Sequence, residues 1–210
     1  TTGSGKSTVV NLIPRFYDVT DGAILIDGVD IREVRLSELR DKIGYIPQQS
    51  NLFSGTIESN LRYANDEAAE EILKQALEIA QASDFVMTNP EGLELPVSQG
   101  GINFSGGQKQ RLSIARALVK RAPIYIFDDS FSALDYRTDA RLRRALKQSL
   151  KESTVIIVSQ RVATIKDADQ IIVLDEGEII SQGTHQELLE KCEVYREIAL
   201  SQLKREEVLA

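Results

Sequence analysis

The chain has 210 residues, 42% of them hydrophobic and 27% charged, which allows one globular domain with room for an inserted subdomain. Its net charge of −7 argues against binding nucleic acid through bulk electrostatics. The single cysteine, Cys192, excludes an internal disulfide framework, and no apolar run is long enough for a membrane-spanning helix.

The chain opens on TTGSGKST, which is most of the phosphate-binding pattern G-x-x-x-x-G-K-[ST]. The first glycine of that pattern would stand one position before Thr1, so we expect the strand that feeds this phosphate loop (residues 1–8) to lie upstream. Glycines let the backbone wrap around phosphate oxygens, Lys6 can reach the outer phosphates, and the Ser7 hydroxyl can coordinate Mg²⁺. The predicted phosphate-contacting residues are Thr2, Gly3, Ser4, Gly5, Lys6, Ser7 and Thr8.

Apolar runs and helical periodicity predict alternating helices and strands after this loop. Helices are predicted over 7–13, 66–83 and 108–119, and strands over 23–28, 42–47, 124–127, 154–159 and 170–175. A hairpin is predicted over 171–181, with its turn at Glu176 and Gly177. Continuous apolar strands that alternate with helices indicate an α/β fold whose parallel sheet is covered on both faces.

The pattern changes from about residue 51, where acidic helical segments replace apolar strands. One helical stripe within 66–83 collects apolar side chains, namely Ile72, Leu73, Ala76, Leu77 and Ala80. We therefore predict one domain over 1–210, in which a helical subdomain over about 51–108 is inserted into a core formed by 1–50 and 109–210.

Two further stretches contain candidate functional residues. The apolar strand IYIFDD (124–129) delivers carboxylates to its C-terminal end, where parallel sheets bind ligands, and Asp128 is placed there to hold a metal ion through its water shell. In NFSGGQKQRLSIARAL (103–118), Ser105, Gly106 and Gly107 form a turn at a helix start. The turn is either a plain helix cap or a second phosphate site, and its residues alone leave both interpretations open.

The motifs GSGKST, FSGGQ, IYIFDD and SALD, in this order and at these intervals, resemble the nucleotide-binding domain of ABC (ATP-binding cassette) transporters over practically the whole chain. The resemblance implies a P-loop NTPase (RecA-like) fold that binds ATP and Mg²⁺. It assigns 1–8 to the Walker A loop, Gln48 to the Q-loop, Asp128 to Walker B and 132–135, ending in Asp135, to the D-loop. It assigns Ser105, Gly106, Gly107 and Gln108 to the signature motif, here called the signature turn.

In that family two cassettes bind head to tail, so that ATP lies between the Walker A loop of one and the signature motif of the other. The resemblance implies that Gln48 senses the γ-phosphate and contacts the metal together with Ser7 and Asp128. The segments 51–61 and 96–108 resemble those of bacterial multidrug or lipid exporters, whose cassettes usually follow membrane helices in one polypeptide. We therefore expect a membrane-spanning domain that is absent from this sequence, and a location at the cytoplasmic face of the plasma membrane.

Three positions depart from the family pattern. The family normally has Glu directly after the metal-binding Asp, as the base that polarises the attacking water, whereas this chain has Asp129. The shorter arm retracts the carboxylate by about 1.5 Å, beyond the reach a base needs. Gln160 replaces the switch histidine, and its amide cannot carry a proton at neutral pH. Gln99 stands where such exporters commonly have Glu; the one histidine, His185, lies elsewhere.

The departures are selective, because groups that bind ATP and Mg²⁺ are kept while groups that activate water are changed. This division predicts one subunit of a heterodimeric exporter, with an impaired Walker site in this chain and a different cassette as its partner. A homodimeric exporter, in which Asp129 acts as a slow base on an adjusted backbone, is an alternative. A non-transport cassette, acting as a regulatory or DNA-repair clamp, is another, although the acidic charge disfavours a nucleic-acid partner.

Overall fold

The computed structural model describes residues 3–208, with side chains described up to residue 202. In chain order the helices are α1 (Lys6–Leu12), α2 (Leu36–Asp41), α3 (Ile57–Arg62), α4 (Glu70–Ile79), α5 (Ser83–Val86), α6 (Gly106–Val119), α7 (Tyr136–Ser149), α8 (Val162–Ile165), α9 (His185–Lys191) and α10 (Glu193–Val208). The strands are β1 (Leu25–Ile26), β2 (Val29–Asp30), β3 (Ile43–Ile46), β4 (Gly55–Thr56), β5 (Pro96–Val97), β6 (Ile124–Asp128), β7 (Thr154–Val158), β8 (Ile171–Asp175) and β9 (Glu178–Gly183).

Three strands form a parallel sheet in the order β3, β6, β7. Side chains alternate across the pleat of β6, so Tyr125 and Phe127 pack into one apolar cluster with helices α4, α6 and α7. Ile126 packs into another cluster, with Val10 of α1 and Leu39 of α2. The predicted α/β fold, with a parallel sheet covered on both faces, is confirmed.

The C-terminal ends of β6 and β7 lie side by side, because Asp128 pairs with Val158 in the parallel register. Helix α1 packs against β6, so the phosphate loop that precedes it stands at the same edge of the sheet. This arrangement brings the loop and the acids of 128–129 to one site, as expected for ligand binding at the ends of parallel strands.

Helices α4 and α6 pack together beside the sheet. The predicted apolar stripe of α4 is confirmed: Leu73, Ala76, Leu77 and Ala80 are at most 3% exposed and share a cluster with Leu112 of α6, and Ile72 is half-buried against the same cluster. The helix is shorter than the predicted 66–83, since the chain turns at Gln81 with a φ of 58°. Within residues 3–208, none of the helices combines the length and the apolar character of a membrane span.

Two strand predictions need correction. The segment 170–175 does not extend the parallel sheet, because among the described residues β8 pairs only with β9, antiparallel. The predicted strand 23–28 is reduced to β1, which turns at Asp27 and Gly28, with φ values of 52° and 80°, into β2. The hairpin turn at Glu176 and Gly177 is as predicted, and both residues have the positive φ of a tight two-residue turn.

Candidate functional site

The phosphate loop ends in a left-handed turn directly before α1. Gly3 and Gly5 have φ values of 87° and 88°, a conformation that residues with a Cβ seldom adopt. The first amides of α1, from Lys6 to Thr8, therefore stand at the mouth of the turn, where they attract an anion. Thr2 lies outside the described residues.

The β8–β9 hairpin braces this loop from the side. The amide of Gly177 donates a hydrogen bond to the carbonyl oxygen of Ser4 at 3.3 Å. A Cβ on Gly5 would lie 3.6 Å from the Cα of Gly177. Ser4 is buried, and its Oγ accepts a hydrogen bond of 2.5 Å from Nζ of Lys6. The predicted turn at 176–177 thus has a second role, because it holds the loop that positions Lys6.

Ser7 and Asp128 meet at the end of β6. The Ser7 Oγ donates a hydrogen bond to Oδ1 of Asp128 at 2.8 Å, and Asp128 is 5% exposed. Hydroxyl and carboxylate oxygens are the ligands that Mg²⁺ prefers, and Mg²⁺ usually keeps water and phosphate oxygens as its other ligands. Among the described residues there is no cluster of three or more His, Cys, Asp or Glu that could hold a metal ion alone. The donor set therefore suits a magnesium ion that arrives with a phosphate.

Tyr45 on β3 also contacts this acid, although it belongs to none of the motifs that the sequence analysis identified. Its hydroxyl lies 2.7 Å from Oδ1 of Asn11 and 3.2 Å from Oδ2 of Asp128. Burial, and then the negative charge of Asp128, raise the pKa of the Tyr45 phenol, so it stays a neutral donor. The phenol thereby connects Asp128 to Asn11 of α1.

We expect the replacement Tyr45→Phe to lower the free energy of unfolding by about 1 kcal/mol, because Asn11 and Asp128 lose a partly buried donor. The ring is retained, and with it the edge-to-face contact with Phe16, whose ring centroid lies 5.2 Å away. Urea unfolding of the nucleotide-free protein measures the change. Tyr17→Phe, at a side chain that is 67% exposed, is the matched control and should leave the midpoint unchanged. Equal midpoints for both variants would contradict this assignment.

Asp129 and Gln48 lie together beside Asp128. Nε2 of Gln48 donates a hydrogen bond to Oδ2 of Asp129 at 3.3 Å. Burial, followed by the charge of Asp128, raises the pKa of the Asp129 carboxyl. The backbone is anchored on both sides, because the Asp129 amide donates to Val158 O at 3.0 Å and its carbonyl accepts from Ser132 Oγ at 2.8 Å. The structure thus brings Gln48 next to Asp129 at the C-terminal end of β6.

The signature turn forms a complete helix cap on α6. Oγ of Ser105 accepts from the Gln108 amide at 3.2 Å, and Oε1 of Gln108 accepts from the Ser105 amide at 2.9 Å. Gly106 is exposed, and within the part of the chain that the structure describes a Cβ built on it would meet nothing within 4 Å. A Cβ on Gly107 would lie 3.4 Å from the carbonyl oxygen of Ala133 in the D-loop. The cap uses the Gln108 amide and leaves the Gly106 face of the helix start open to solvent.

Asp135 closes the D-loop as the N-cap of α7. Its Oδ1 accepts hydrogen bonds from the amides of Arg137 at 3.1 Å and Thr138 at 3.0 Å. These bonds, chiefly those from Thr138, lower the pKa of the Asp135 carboxyl. Gln160 follows β7 by two residues and is exposed, on the strand end next to Asp129. The structure therefore places 128–129, 132–135 and 160 around one edge of the sheet.

A glycine turn that opens a helix, joined through Ser7 and Asp128 to the end of a parallel strand, defines a P-loop nucleotide-binding domain. The family model described as "ABC transporter" matches residues 1–132. The chain belongs to the ABC transporter family, as an ATP-binding domain of exporter type.

Relatives of this chain are longer proteins. It is 52% identical over 204 residues to an uncharacterized ABC transporter ATP-binding protein of Mycobacterium tuberculosis. That alignment covers 96% of this chain and 35% of the mycobacterial protein. It is 44% identical over 206 residues to an ATP-dependent lipid A-core flippase of Syntrophus aciditrophicus. That alignment covers 98% of this chain and 34% of the flippase. The structure of a bacterial Atm1-family ABC exporter with ATP bound matches this chain at a TM-score of 0.93 and 41% sequence identity. The match covers 96% of this chain and 36% of the exporter chain. The chain thus spans about a third of these relatives' length.

Proposed function

We propose that this chain binds MgATP as the cassette of one subunit in a heterodimeric ABC exporter, and that its own Walker site hydrolyses ATP slowly. One observation carries the proposal: Ser7 and Asp128 stand within 2.8 Å of each other, while the base position holds the short arm of Asp129. The residues that would bind a nucleotide and its metal ion are therefore present, whereas the side chain that would activate water, Asp129, is one methylene shorter than glutamate.

The phosphate loop and Lys6 bind the triphosphate, while Ser7 and Asp128, with Gln48, hold Mg²⁺. When bound, the ion neutralises charge that develops on the transferred phosphoryl group. The turn with positive φ at Gly3 and Gly5 supports this role, because it turns backbone amides toward the ligand. Thr2, Ser4 and Thr8 complete the loop.

Asp129 is a poor base for reasons of reach. A general base must lie within hydrogen-bond distance of the proton that it accepts. The Asp129 backbone is bound to Val158 and Ser132, so it cannot easily advance to compensate for the missing methylene. Gln160, at the switch position, can donate a hydrogen bond to a γ-phosphate but cannot accept and release a proton there.

The signature turn serves the opposite nucleotide. Its open face at Gly106 is suited to phosphate oxygens presented by a second cassette, because none of the described residues outside the turn lies within 4 Å of a Cβ built there. Ser105, Gly107, Gln108 and, from the D-loop, Asp135 complete this surface. Hydrolysis then occurs mainly between the partner's Walker residues and this chain's signature turn.

A surface cleft of about 390 Å³ supports the proposal that a membrane-spanning domain contacts this chain. Exposed Phe16 and Tyr63 lie on it together with Arg40, Arg116 and Lys120. Burial lowers the pKa of Arg116 and of Lys120, and the lining has three cations against one acid, Asp41, so an anionic partner would be favoured there. We propose that this cleft receives an amphipathic, acidic segment of the membrane half at the cytoplasmic face of the plasma membrane, with 51–108 as the helical subdomain that transmits motion.

The decisive experiment compares two bases in the purified heterodimer. Replacing the partner's Walker B glutamate with glutamine should lower ATP turnover by about 10²-fold or more, whereas Asp129→Asn should change it little. Equal losses would refute the asymmetry. Robust turnover by this chain with a second copy of itself, abolished by Lys6→Ala, would instead establish the homodimeric alternative.

A further inference from the structure

The C-terminal helix α10 contacts the switch segment (159–162) through one side chain. Nε2 of Gln202 donates a hydrogen bond to the carbonyl oxygen of Gln160 at 2.7 Å. Oε1 of the same side chain accepts a hydrogen bond from the amide of Val162, also at 2.7 Å. The amide side chain donates from its nitrogen and accepts at its oxygen, whereas an ionised carboxylate of the same length can only accept, so the contact depends on the amide of Gln202.

The switch segment has a second anchor on its other side. The guanidinium of Arg161 donates hydrogen bonds to the carbonyl oxygens of Ser132 at 3.0 Å and Leu134 at 3.4 Å, both in the D-loop. Gln160 and Val162, the neighbours of Arg161, carry the bonds to α10. The residue at the switch position therefore has its backbone clamped between the D-loop and the C-terminal helix.

The bond to Val162 also replaces a missing helix cap. Helix α8 starts at Val162, and its N-cap residue, Arg161, supplies no side-chain cap. The first amides of a helix need external acceptors, and Gln202 provides one. Val162 is buried in an apolar cluster with Tyr195 and Ala199 of α10. Packing thus sets the distance between α10 and the segment, and Gln202 sets the orientation of its peptide groups.

We propose that Gln202 is a positioning residue that acts through Gln160: it fixes the peptide from which the Gln160 side chain extends toward the γ-phosphate. This role rests on the proposed function, in which Gln160 occupies the switch position. Because both bonds run to the backbone of 160–162, loss of Gln202 frees the switch residue without removing any group that touches the nucleotide. Loss of Gln202 should therefore speed the dissociation of ATP, and this increase should depend on Gln160.

The test uses the complete protein with its partner cassette and two readouts. The first is amide hydrogen exchange at Val162 without nucleotide, which should become about tenfold faster in Gln202→Ala. In Gln202→Glu, the acceptor for Val162 remains, so its protection should be retained while the bond to Gln160 is lost. Ser201→Ala, at the adjacent exposed residue, is the matched control and should behave as the unaltered protein.

The second readout is the dissociation rate of ATP with Mg²⁺ from this chain's site. Gln202→Ala, Gln202→Glu and Gln160→Ala should each raise it about five- to tenfold, and Gln202→Ala combined with Gln160→Ala should be no faster than Gln160→Ala alone. Additive losses, or unchanged dissociation in both Gln202 variants, would overturn the positioning role while leaving the proposed function intact. Unchanged dissociation in Gln160→Ala would overturn the switch assignment, and the positioning role with it.

Discussion

Replacing Asp129 with glutamate should raise ATP turnover at this chain's own Walker site by about 10²-fold or more, the scale that a positioned general base supplies. The measurement requires a heterodimer whose partner base has been neutralised, so that only this site reports. Glutamate restores one methylene, which extends the carboxylate by about 1.5 Å toward a water beside the γ-phosphate. The phosphate loop, Ser7 and Asp128 need no change.

The structure explains why arm length should dominate. Asp129 has a φ of 48°, and its amide and carbonyl groups are both bonded, to Val158 and Ser132 respectively. A backbone shift large enough to replace a methylene would break these bonds and disturb the β6–β7 pairing at Asp128. The side chain is also held back by its hydrogen bond from Gln48 at 3.3 Å.

The matched control is Asp129→Gln, which has the length of glutamate without its basicity. It should give no gain in turnover, and both variants should bind MgATP as tightly as the unaltered chain. Equal turnover in the glutamate and glutamine variants would contradict a role for the base. A gain that appears only when Gln160→His is added would assign the limitation to the switch residue instead.

The parts of the fold that could be predicted are the elements that local hydrophobic periodicity specifies. Strands β3, β6 and β7 are continuous apolar runs, and α6 follows a glycine turn that caps it, so each is specified by its own residues. The proximity of the phosphate loop and Asp128 could be predicted for the same reason, since each lies in a short motif next to a strand or helix. The hairpin of β8 and β9 was predicted, but among the described residues β8 does not pair with the parallel sheet, because the choice of partner strand depends on tertiary packing.

The contacts that could not be predicted are long-range and involve ordinary residues. Tyr45 looks like any aromatic on a buried strand, and it reaches Asp128 only because β3 and β6 pair in one parallel register. Gln202 lies on a partly buried helix 40 residues after Val162, and its bonds to the backbone cannot be inferred from composition or periodicity. The turn at Gly177 was predicted, but its hydrogen bond to Ser4 was not, because turn chemistry does not specify what the turn touches.

A second large effect should follow from Gly106→Ala in the signature turn. In the proposed heterodimer we expect it to lower turnover by about 10²-fold, since a methyl group would occupy the open face that we propose for the phosphates of the partner's nucleotide. The folded chain should tolerate the change, because a Cβ at Gly106 meets nothing within 4 Å and its φ is not positive. Steady-state ATPase assays measure the first effect, and thermal unfolding of the isolated chain measures the second.

Lys6→Ala provides the reciprocal control, because it removes the cation of this chain's own phosphate loop and leaves the signature turn intact. Binding of ATP to this chain should weaken about ten- to a hundredfold in Lys6→Ala and stay unchanged in Gly106→Ala. Turnover should show the opposite order, with the larger loss in Gly106→Ala. If both variants lost turnover equally, the two nucleotide sites would be equivalent, and the division of binding and hydrolysis between the subunits would have to be abandoned.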